Sequence, residues 1–100
     1  MDISQDMIAE VVERFIRTEY QVSDKDALFT RDAHLFDLGF VDSLGFTELI
    51  AFIETRFGIR LDDDHLFSED FTTINGMSRV IGSLIDQSPL EPANSKEGMD

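Results

Sequence analysis

The spacing of the apolar residues constrains the fold of this chain more than any other feature. In three separate stretches, apolar residues recur at intervals of three and four, the pattern of an amphipathic helix with one buried face. No stretch alternates apolar and polar residues over the length of a strand, and no internal repeat is present. The sequence therefore predicts an all-α fold, a small four-helix bundle of three main helices and one short helix.

The first two main helices have recognisable ends. The first is predicted over residues 3 to 19, with Ser4 as its N-cap. The second is predicted over residues 43 to 57, followed by Gly58 where a left-handed residue commonly ends a helix. The predicted core stripes are Ile3, Met7, Ile8, Val11, Val12, Phe15 and Ile16 in the first helix, and Phe46, Leu49, Ile50, Ile53 and Phe57 in the second.

The remaining segments are less regular. Residues 20 to 42 have no sustained period, so a long loop is predicted between the first two helices, pinned by isolated apolar residues. One short helix or a pair of turns is expected near Asp63 to Asp70, with Leu61, Leu66 and either Phe67 or Phe71 pointing inward. A last helix over residues 73 to 86 begins at Thr72 or Thr73, and two internal glycines require packing to hold it.

Length and composition predict one folded unit with a tail. The chain has 100 residues, of which 42% are hydrophobic, enough for one modest core. The segment from residue 87 to 100 contains both prolines and little apolar content, as disordered segments do. We therefore expect a folded domain over residues 1 to 86 and a disordered tail over residues 87 to 100.

Charge and cysteine content exclude several functions. The net charge of −13 argues against nucleic acid and anionic membranes as partners, because both attract basic surfaces. The chain has no cysteine, so it has no thiol chemistry or disulfide of its own. Acidic residues stand where a signal peptide needs basic ones, and no apolar run approaches the roughly 18 residues of a membrane span. A cytoplasmic location without membrane insertion is predicted.

The sequence "FVDSLGF" places Asp42 and Ser43 at the start of the second helix. One interpretation is a capping pair that satisfies free N–H groups. A serine hydrolase is disfavoured, because "VDSLG" lacks the first glycine of a nucleophile elbow, no strand precedes it, and no third group is evident in the sequence to orient His34 or His65. A covalent attachment point needs only an exposed hydroxyl, and the helix N-terminus stabilises an attached phosphodiester. The residues alone leave capping and attachment open.

A longer segment carries a resemblance. "LFDLGFVDSLGFTELIAFIETRFGIRLDDDHLFSEDFTTINGMSRVI" resembles the phosphopantetheine attachment region of acyl carrier proteins, in which the serine of an Asp-Ser-Leu motif opens the second helix. The likeness covers Leu35 to Ile85. It implies that a phosphopantetheinyl transferase moves 4′-phosphopantetheine from coenzyme A onto Ser43, between Asp42 and Leu44. The thiol of that arm carries acyl groups as thioesters and supplies the chemistry that the cysteine-free chain lacks.

The resemblance also implies what surrounds the carrier. Such a chain is not an enzyme, and its other partners are the acyl- or aminoacyl-loading ligase or synthase and a downstream acyl transferase or condensing enzyme. A monomer is expected. Phe40 and Val41 separate Gly39 from the motif, where fatty-acid carriers tend to have one residue. The segment is more similar to discrete carriers, such as D-alanyl carrier proteins and stand-alone carriers of biosynthetic clusters, whose cargo is often an amino or hydroxy acid.

The acidic surface is the predicted partner site. Between Asp37 and Asp70, nine acidic residues stand against two basic ones, a net charge of −7. Such a surface keeps a protein soluble, and it also steers basic enzymes toward it. At about 100° per residue, the side of the second helix opposite its core stripe includes the apolar Leu44. The predicted partner-binding residues are Asp42, Leu44, Glu48, Ala51, Glu54, Asp63 and Asp64.

Other patterns have plainer interpretations. The run "DDDH" from Asp62 to His65 lacks the alternation of a calcium loop, so an acidic helix start is favoured and no metal site is expected. The main alternative to a carrier is an unmodified acidic helical interaction module, an adaptor or a sensor, in which Ser43 only caps a helix. A degenerate carrier that is never modified is a third possibility. The phenylalanine stripe is expected in the core: Phe15, Phe36, Phe46, Phe57 and Phe71.

Overall fold

The computed structural model describes residues 4–87, and all regular secondary structure in this range is helical. The predicted all-α fold with a long first connection is confirmed, and its short element is a four-residue α-helix followed by a 3₁₀ helix. The predicted tail lies outside the described residues, except for Gln87, which ends the last helix. In chain order the elements are α1 (Gln5–Glu19), α2 (Ser43–Phe57), α3 (Asp63–Leu66), the 3₁₀ helix (Glu69–Thr72) and α4 (Ile74–Gln87).

The helices begin and end where side chains satisfy their free backbone groups. Ser4 Oγ accepts a hydrogen bond from the N–H of Met7 at 3.1 Å, as the predicted N-cap of α1. Gly58 ends α2 in the left-handed region with φ 67°. Of the two candidate threonines, Thr73 is the one whose Oγ1 accepts from a backbone N–H of α4, that of Gly76, at 2.9 Å. These contacts confirm the predicted caps.

The centre of the bundle is mainly aliphatic. Phe71 is the predicted core phenylalanine that is fully buried, and Phe29 of the long loop is buried as well. The other four predicted core phenylalanines are only partly buried and surround the aliphatic centre. Their large rings reach from the core to the surface, whereas branched side chains fill the narrow space between the helix axes. The fully buried aliphatic residues include Ile8, Val12, Ile16, Leu35, Leu49, Ile53, Ile74, Met77 and Ile81.

The apolar side of α1 is wider than its buried face. Ile3 of the predicted stripe lies outside the described residues. Met7 is 55% exposed and Val11 is only partly buried, so the prediction that these two belong to the core stripe is wrong, whereas Phe15 is partly buried and packs against the core. Met7, Val11 and Phe15 line an open groove of about 460 Å³ between α1 and α2, where the ring of Phe15 stacks on Phe52 at 4.1 Å. Successive side chains on a helix point about 100° apart, so residues one position away from the buried stripe face the groove.

The long loop between α1 and α2 is pinned to the rest of the molecule. Its buried anchors are Phe29, Ala33, Leu35 and Val41. The N–H of Leu35 donates to the carbonyl of Thr72 at 2.8 Å, and the N–H of Asn75 donates to the carbonyl of Arg31 at 2.9 Å. These bonds tie the loop to the 3₁₀ helix and to α4, and the predicted apolar pinning is confirmed.

An ion-pair network ties the same loop to α1. The Arg31 guanidinium contacts Asp6 at 2.6 Å and Glu13 at 3.0 Å, and Arg17 contacts the other oxygen of Glu13 at 3.1 Å. Burial alone would raise the pKa of Glu13, but hydrogen bonds from Arg31 and Arg17 outweigh it and hold that pKa below its usual range. Glu13 is therefore a charged link between α1 and the loop that precedes α2.

Candidate functional site at the start of helix α2

Ser43 is the first residue of α2 and is exposed to solvent. Within residues 4–87 its hydroxyl has no hydrogen-bond partner, while its carbonyl accepts a bond from Thr47 Oγ1 at 3.2 Å. A hydroxyl in this position is accessible to another enzyme.

The cap of α2 is supplied by Asp42. Its Oδ1 accepts the N–H of Gly45 at 2.8 Å, and its carbonyl accepts the N–H of Phe46 at 2.8 Å. The N–H groups of Ser43 and Leu44 have no acceptor in the described part of the chain. Asp42 therefore caps the helix beside the exposed Ser43, and within residues 4–87 two N–H donors without an acceptor stand next to the Ser43 hydroxyl, a setting that suits a phosphate group.

The two residues between Gly39 and the motif are packed. Gly39 has φ 80°, a conformation that favours glycine, and directs the chain back toward the core. Val41 is buried, and the Phe40 ring meets Phe29 edge to face at 4.9 Å. The longer spacing before Asp42 thus gives α2 an apolar anchor immediately ahead of its cap.

Tyr20, which the sequence patterns do not single out, lies against the first turn of α2. Its hydroxyl donates to the carbonyl of Gly45 at 2.6 Å. A Cβ at Gly45 would stand 3.2 Å from Asp42 Oδ1 and from two Tyr20 ring atoms. A glycine two residues after the serine is a signal for such close approach, but nothing in the sequence says which side chain approaches.

The charge around Tyr20 keeps its hydroxyl protonated. Burial raises the pKa of Tyr20, and the neighbouring carboxylates of Glu48, Glu19 and Asp42 raise it further. Because the phenol stays neutral at ordinary pH, it remains available as a hydrogen-bond donor.

The outward side of α2 is exposed as predicted, with Glu54 as the one exception among its predicted residues. Leu44 is 71% exposed, and Glu48 and Ala51 are exposed with it. Glu54 is half-buried instead, and its Oε2 accepts the N–H of Leu61 at 2.8 Å. That bond gives Glu54 a structural role between α2 and the following segment, and its partner-binding role stays a prediction.

The acidic run after α2 begins α3. Asp62 Oδ1 accepts the N–H of His65 at 3.0 Å, while Asp63 and Asp64 are exposed in the first turn. This confirms the predicted acidic helix start. Residues 4–87 contain no group of three or more histidine, aspartate or glutamate side chains placed to hold a metal ion. Of the two phenylalanines considered, Phe71 points inward and Phe67 is 84% exposed.

Both histidines are engaged away from the serine. His34 Nδ1 accepts the N–H of Asp37 at 3.1 Å, and His65 Nδ1 lies 2.9 Å from the Asp62 carboxylate. Across the described range neither forms a hydrogen bond with Ser43. The geometry of a Ser-His pair is therefore absent from this part of the chain. In the same range no helix is long and apolar enough to cross a membrane.

The chain is similar to known proteins over most of its length. Residues 8–81 match the family model described as "Phosphopantetheine attachment site". The D-alanyl carrier protein of Streptococcus sanguinis (strain SK36) is 35% identical over 75 residues, covering 75% of this chain and 85% of that protein. That of Streptococcus thermophilus (strain ATCC BAA-491 / LMD-9) is 33% identical over 75 residues, covering 75% of this chain and 85% of that protein. That of Streptococcus suis (strain 05ZYH33) is 29% identical over 86 residues, 86% of this chain and 95% of the relative.

Proposed function

Because this chain belongs to the phosphopantetheine attachment family, whose members are carriers and not enzymes, we propose that Ser43 bears its 4′-phosphopantetheine. The observation that carries the proposal is the hydroxyl of Ser43, which has no hydrogen-bond partner among residues 4–87, at a helix start that Asp42 caps. The free N–H groups of Ser43 and Leu44 fit an attached phosphodiester, and the exposed position admits a transferase.

The attachment step makes one demand on the chain. Ser43 Oγ forms a bond to the phosphorus that carries pantetheine in coenzyme A, and the bond from that phosphorus to adenosine 3′,5′-bisphosphate breaks. The bisphosphate leaves, and the hydroxyl proton passes to a base of the transferase, since neither histidine of this chain binds Ser43. The chain supplies the nucleophile and the anion-binding helix start, and the transferase supplies the catalytic groups.

The attached arm supplies a terminal thiol that holds an acyl group as a thioester, in a chain that has no cysteine. A phosphopantetheinyl transferase and a loading ligase or synthase are therefore partners of this carrier.

The proposed partner surface is the outward side of α2. It is formed by Asp42, Leu44, Glu48 and Ala51, all exposed, and continues to Asp63 and Asp64 of α3. Within it the apolar Leu44 stands beside Ser43, among carboxylates that attract a basic enzyme surface.

The proposed cargo is an amino acid. Two features support it: the similarity to relatives named D-alanyl carrier protein, of whose length the chain covers 85% and 95%, and the two-residue anchor Phe40–Val41 before the motif. The test is the intact mass of the chain isolated from its host, before and after hydroxylamine cleaves thioesters. We expect a labile aminoacyl increment, D-alanine being the first candidate. A labile fatty-acyl increment contradicts this cargo and leaves the attachment proposal standing.

The attachment proposal is tested in vitro. Incubation with coenzyme A, Mg²⁺ and a broad-specificity transferase is expected to add one phosphopantetheine to the wild-type mass and none to Ser43→Ala. Ser23→Ala is the matched control, because Ser23 is also exposed but lies in the long loop. It is expected to be modified like the wild type. An adduct that persists in Ser43→Ala refutes the assignment.

A further inference from the structure

Tyr20 connects the end of α1 to the turn that carries Ser43. It follows α1 as its C-cap residue, with its N–H donating to the carbonyl of Ile16 at 3.0 Å. Its ring meets Phe15 edge to face at 6.2 Å, and Phe15 in turn stacks on Phe52 of α2 at 4.1 Å. The aromatic contacts hold the Tyr20 ring from behind, so its hydroxyl reaches α2 in a defined direction.

The point of contact on α2 is Gly45. This residue is buried, its N–H is bound to Asp42, and its carbonyl accepts the Tyr20 hydroxyl at 2.6 Å. Both backbone polar groups of Gly45 are thus held by side chains from outside α2. Since Ser43 is only two residues earlier in the same helical turn, restraint of Gly45 restrains the backbone of Ser43.

The surroundings of the Tyr20 phenol keep it in its neutral, donating form. Burial raises its pKa, the carboxylates of Glu48, Glu19 and Asp42 raise it further, and the phenol also hydrogen-bonds Glu48. Glu48 faces outward on α2 and belongs to the proposed partner surface.

We propose that Tyr20 is a positioning residue for phosphopantetheine attachment. It acts through the Gly45 carbonyl and sets the direction in which the Ser43 hydroxyl is presented to the transferase. This inference rests on the proposed role of Ser43, and it adds a determinant on a different element of the fold.

The first test is steady-state transfer kinetics with coenzyme A, Mg²⁺ and a broad-specificity transferase. Tyr20→Phe keeps the ring and removes the hydroxyl, and we expect the turnover number to fall about three- to tenfold, the effect of one lost hydrogen bond. The KM for the carrier is expected to stay within about twofold, because no residue of the proposed partner surface is substituted. Thr18→Val, which removes an exposed hydroxyl from α1, is the matched control with wild-type kinetics.

The second test reads the turn itself, in the unmodified chain. In Tyr20→Phe, amide hydrogen exchange is expected to quicken at Gly45 and Phe46 and to stay unchanged at Ile53. The new methyl group of Gly45→Ala would stand 3.2 Å from two Tyr20 ring atoms and from Asp42 Oδ1, so this variant is also expected to lose turnover, with the hydroxyl still present.

Separate outcomes decide the two proposals. An unchanged turnover number in Tyr20→Phe, a loss carried by KM, or unchanged exchange at Gly45 and Phe46 overturns the positioning role. If the wild-type chain accepts no phosphopantetheine, the proposed role of Ser43 is overturned, and the positioning role of Tyr20 in attachment is overturned with it. The exchange measurement on the unmodified chain then still shows whether Tyr20 restrains the turn.

Discussion

Asp42 and Ser43 are adjacent and chemically alike as capping residues, yet the fold uses them differently. The Asp42 carboxylate accepts the N–H of Gly45 and caps the helix, and the Ser43 hydroxyl is left without a hydrogen-bond partner in the part of the chain that the structure describes. A serine that capped the helix itself would have its hydroxyl turned toward the backbone. Because Asp42 supplies the cap, a capped helix start and attachment at Ser43 do not exclude each other.

Substitutions at Asp42 separate its cap from its charge. Asp42→Ala is expected to lower the free energy of unfolding by about 1 kcal/mol, because the Gly45 N–H loses its acceptor. Asp42→Asn keeps an equally good cap and is expected to unfold like the wild type, while its transfer rate falls if the charge steers the transferase. Thermal unfolding and transfer kinetics measure the two effects, and an equal loss of stability in both variants contradicts the capping role.

Leu44 is expected to be a binding contact and not a stability determinant. Leu44→Asp places a charge on a side chain that is 71% exposed, so the melting temperature is expected to stay close to that of the wild type. Transfer efficiency, measured as kcat/KM, is expected to fall about tenfold through the lost apolar contact.

The matched control for Leu44 is Leu28→Asp. Leu28 is similarly exposed at 65%, but it lies in the long loop. We expect its transfer efficiency to match that of the wild type. Equal losses in both variants show a general charge effect and contradict a specific Leu44 contact.

The exposure of single residues on helix surfaces was predictable from the sequence, because it depends on their position along one helix. The exposure of Leu44, Glu48 and Ala51 follows from the helical angle alone. The contacts of Tyr20 and Glu54 could not be predicted, because their partners Gly45 and Leu61 depend on how distant segments pack. Their contacts are tertiary, and no pattern within one helix contains them.

At the scale of elements, α4 shows how packing can override helix propensity. Gly76 lies where the 3₁₀ helix crosses α4, and a Cβ there would overlap the backbone carbonyl of Asp70. Gly82 lies further along α4, where a Cβ would stand 3.6 Å from Ile8 Cδ1, an ordinary contact. By helix propensity the two glycines weaken α4 equally, but only Gly76 stands where the packing has no room for a side chain.

That difference gives a paired prediction. Gly76→Ala is expected to lower the free energy of unfolding by about 2 kcal/mol or more, since backbone must move to admit the methyl group. Gly82→Ala is expected to raise it by about 0.5 to 1 kcal/mol through helix propensity. Urea unfolding measures both, and a Gly76→Ala variant as stable as Gly82→Ala contradicts the close approach.

The ends of the elements were more predictable than their connections. Ser4, Thr73 and Gly58 act where capping chemistry places them, because each cap is satisfied within a few residues of chain. The long loop could only be predicted as apolar-anchored. Its bonds to Thr72 and Asn75 join residues about 40 positions apart, which sequence periodicity does not address.

At the scale of the whole molecule, the acidic chain depends on a few arginines to hold its parts together. The pKa of Glu13 is lowered in the folded state, so its carboxylate contributes its full stabilisation at pH values above its usual pKa of 4.5. The unfolded chain binds the proton first as the pH falls, and this contribution is lost as the pH drops from about that value through the folded-state pKa.

The Glu13 network therefore predicts a pH-dependent stability difference. At pH 7, Glu13→Gln is expected to unfold at a lower urea concentration than the wild type, and the gap is expected to narrow below about pH 4.5. Glu10→Gln, which breaks only the exposed pair with Arg14, is the control and is expected to change the free energy of unfolding by less than about 1 kcal/mol at pH 7. A gap between Glu13→Gln and the wild type that is constant from pH 3 to 7 contradicts the network.

Attachment of the arm to Ser43 is tested by locating the modification on the chain. Trypsin cuts after Arg31 and Arg56, and the peptide between them holds three hydroxyl residues, Ser43, Thr47 and Thr55. We predict that fragmentation of this peptide from the transferase-treated chain places one phosphopantetheine on Ser43. Phosphopantetheine on either threonine or on another peptide, or no modification at all, contradicts the account.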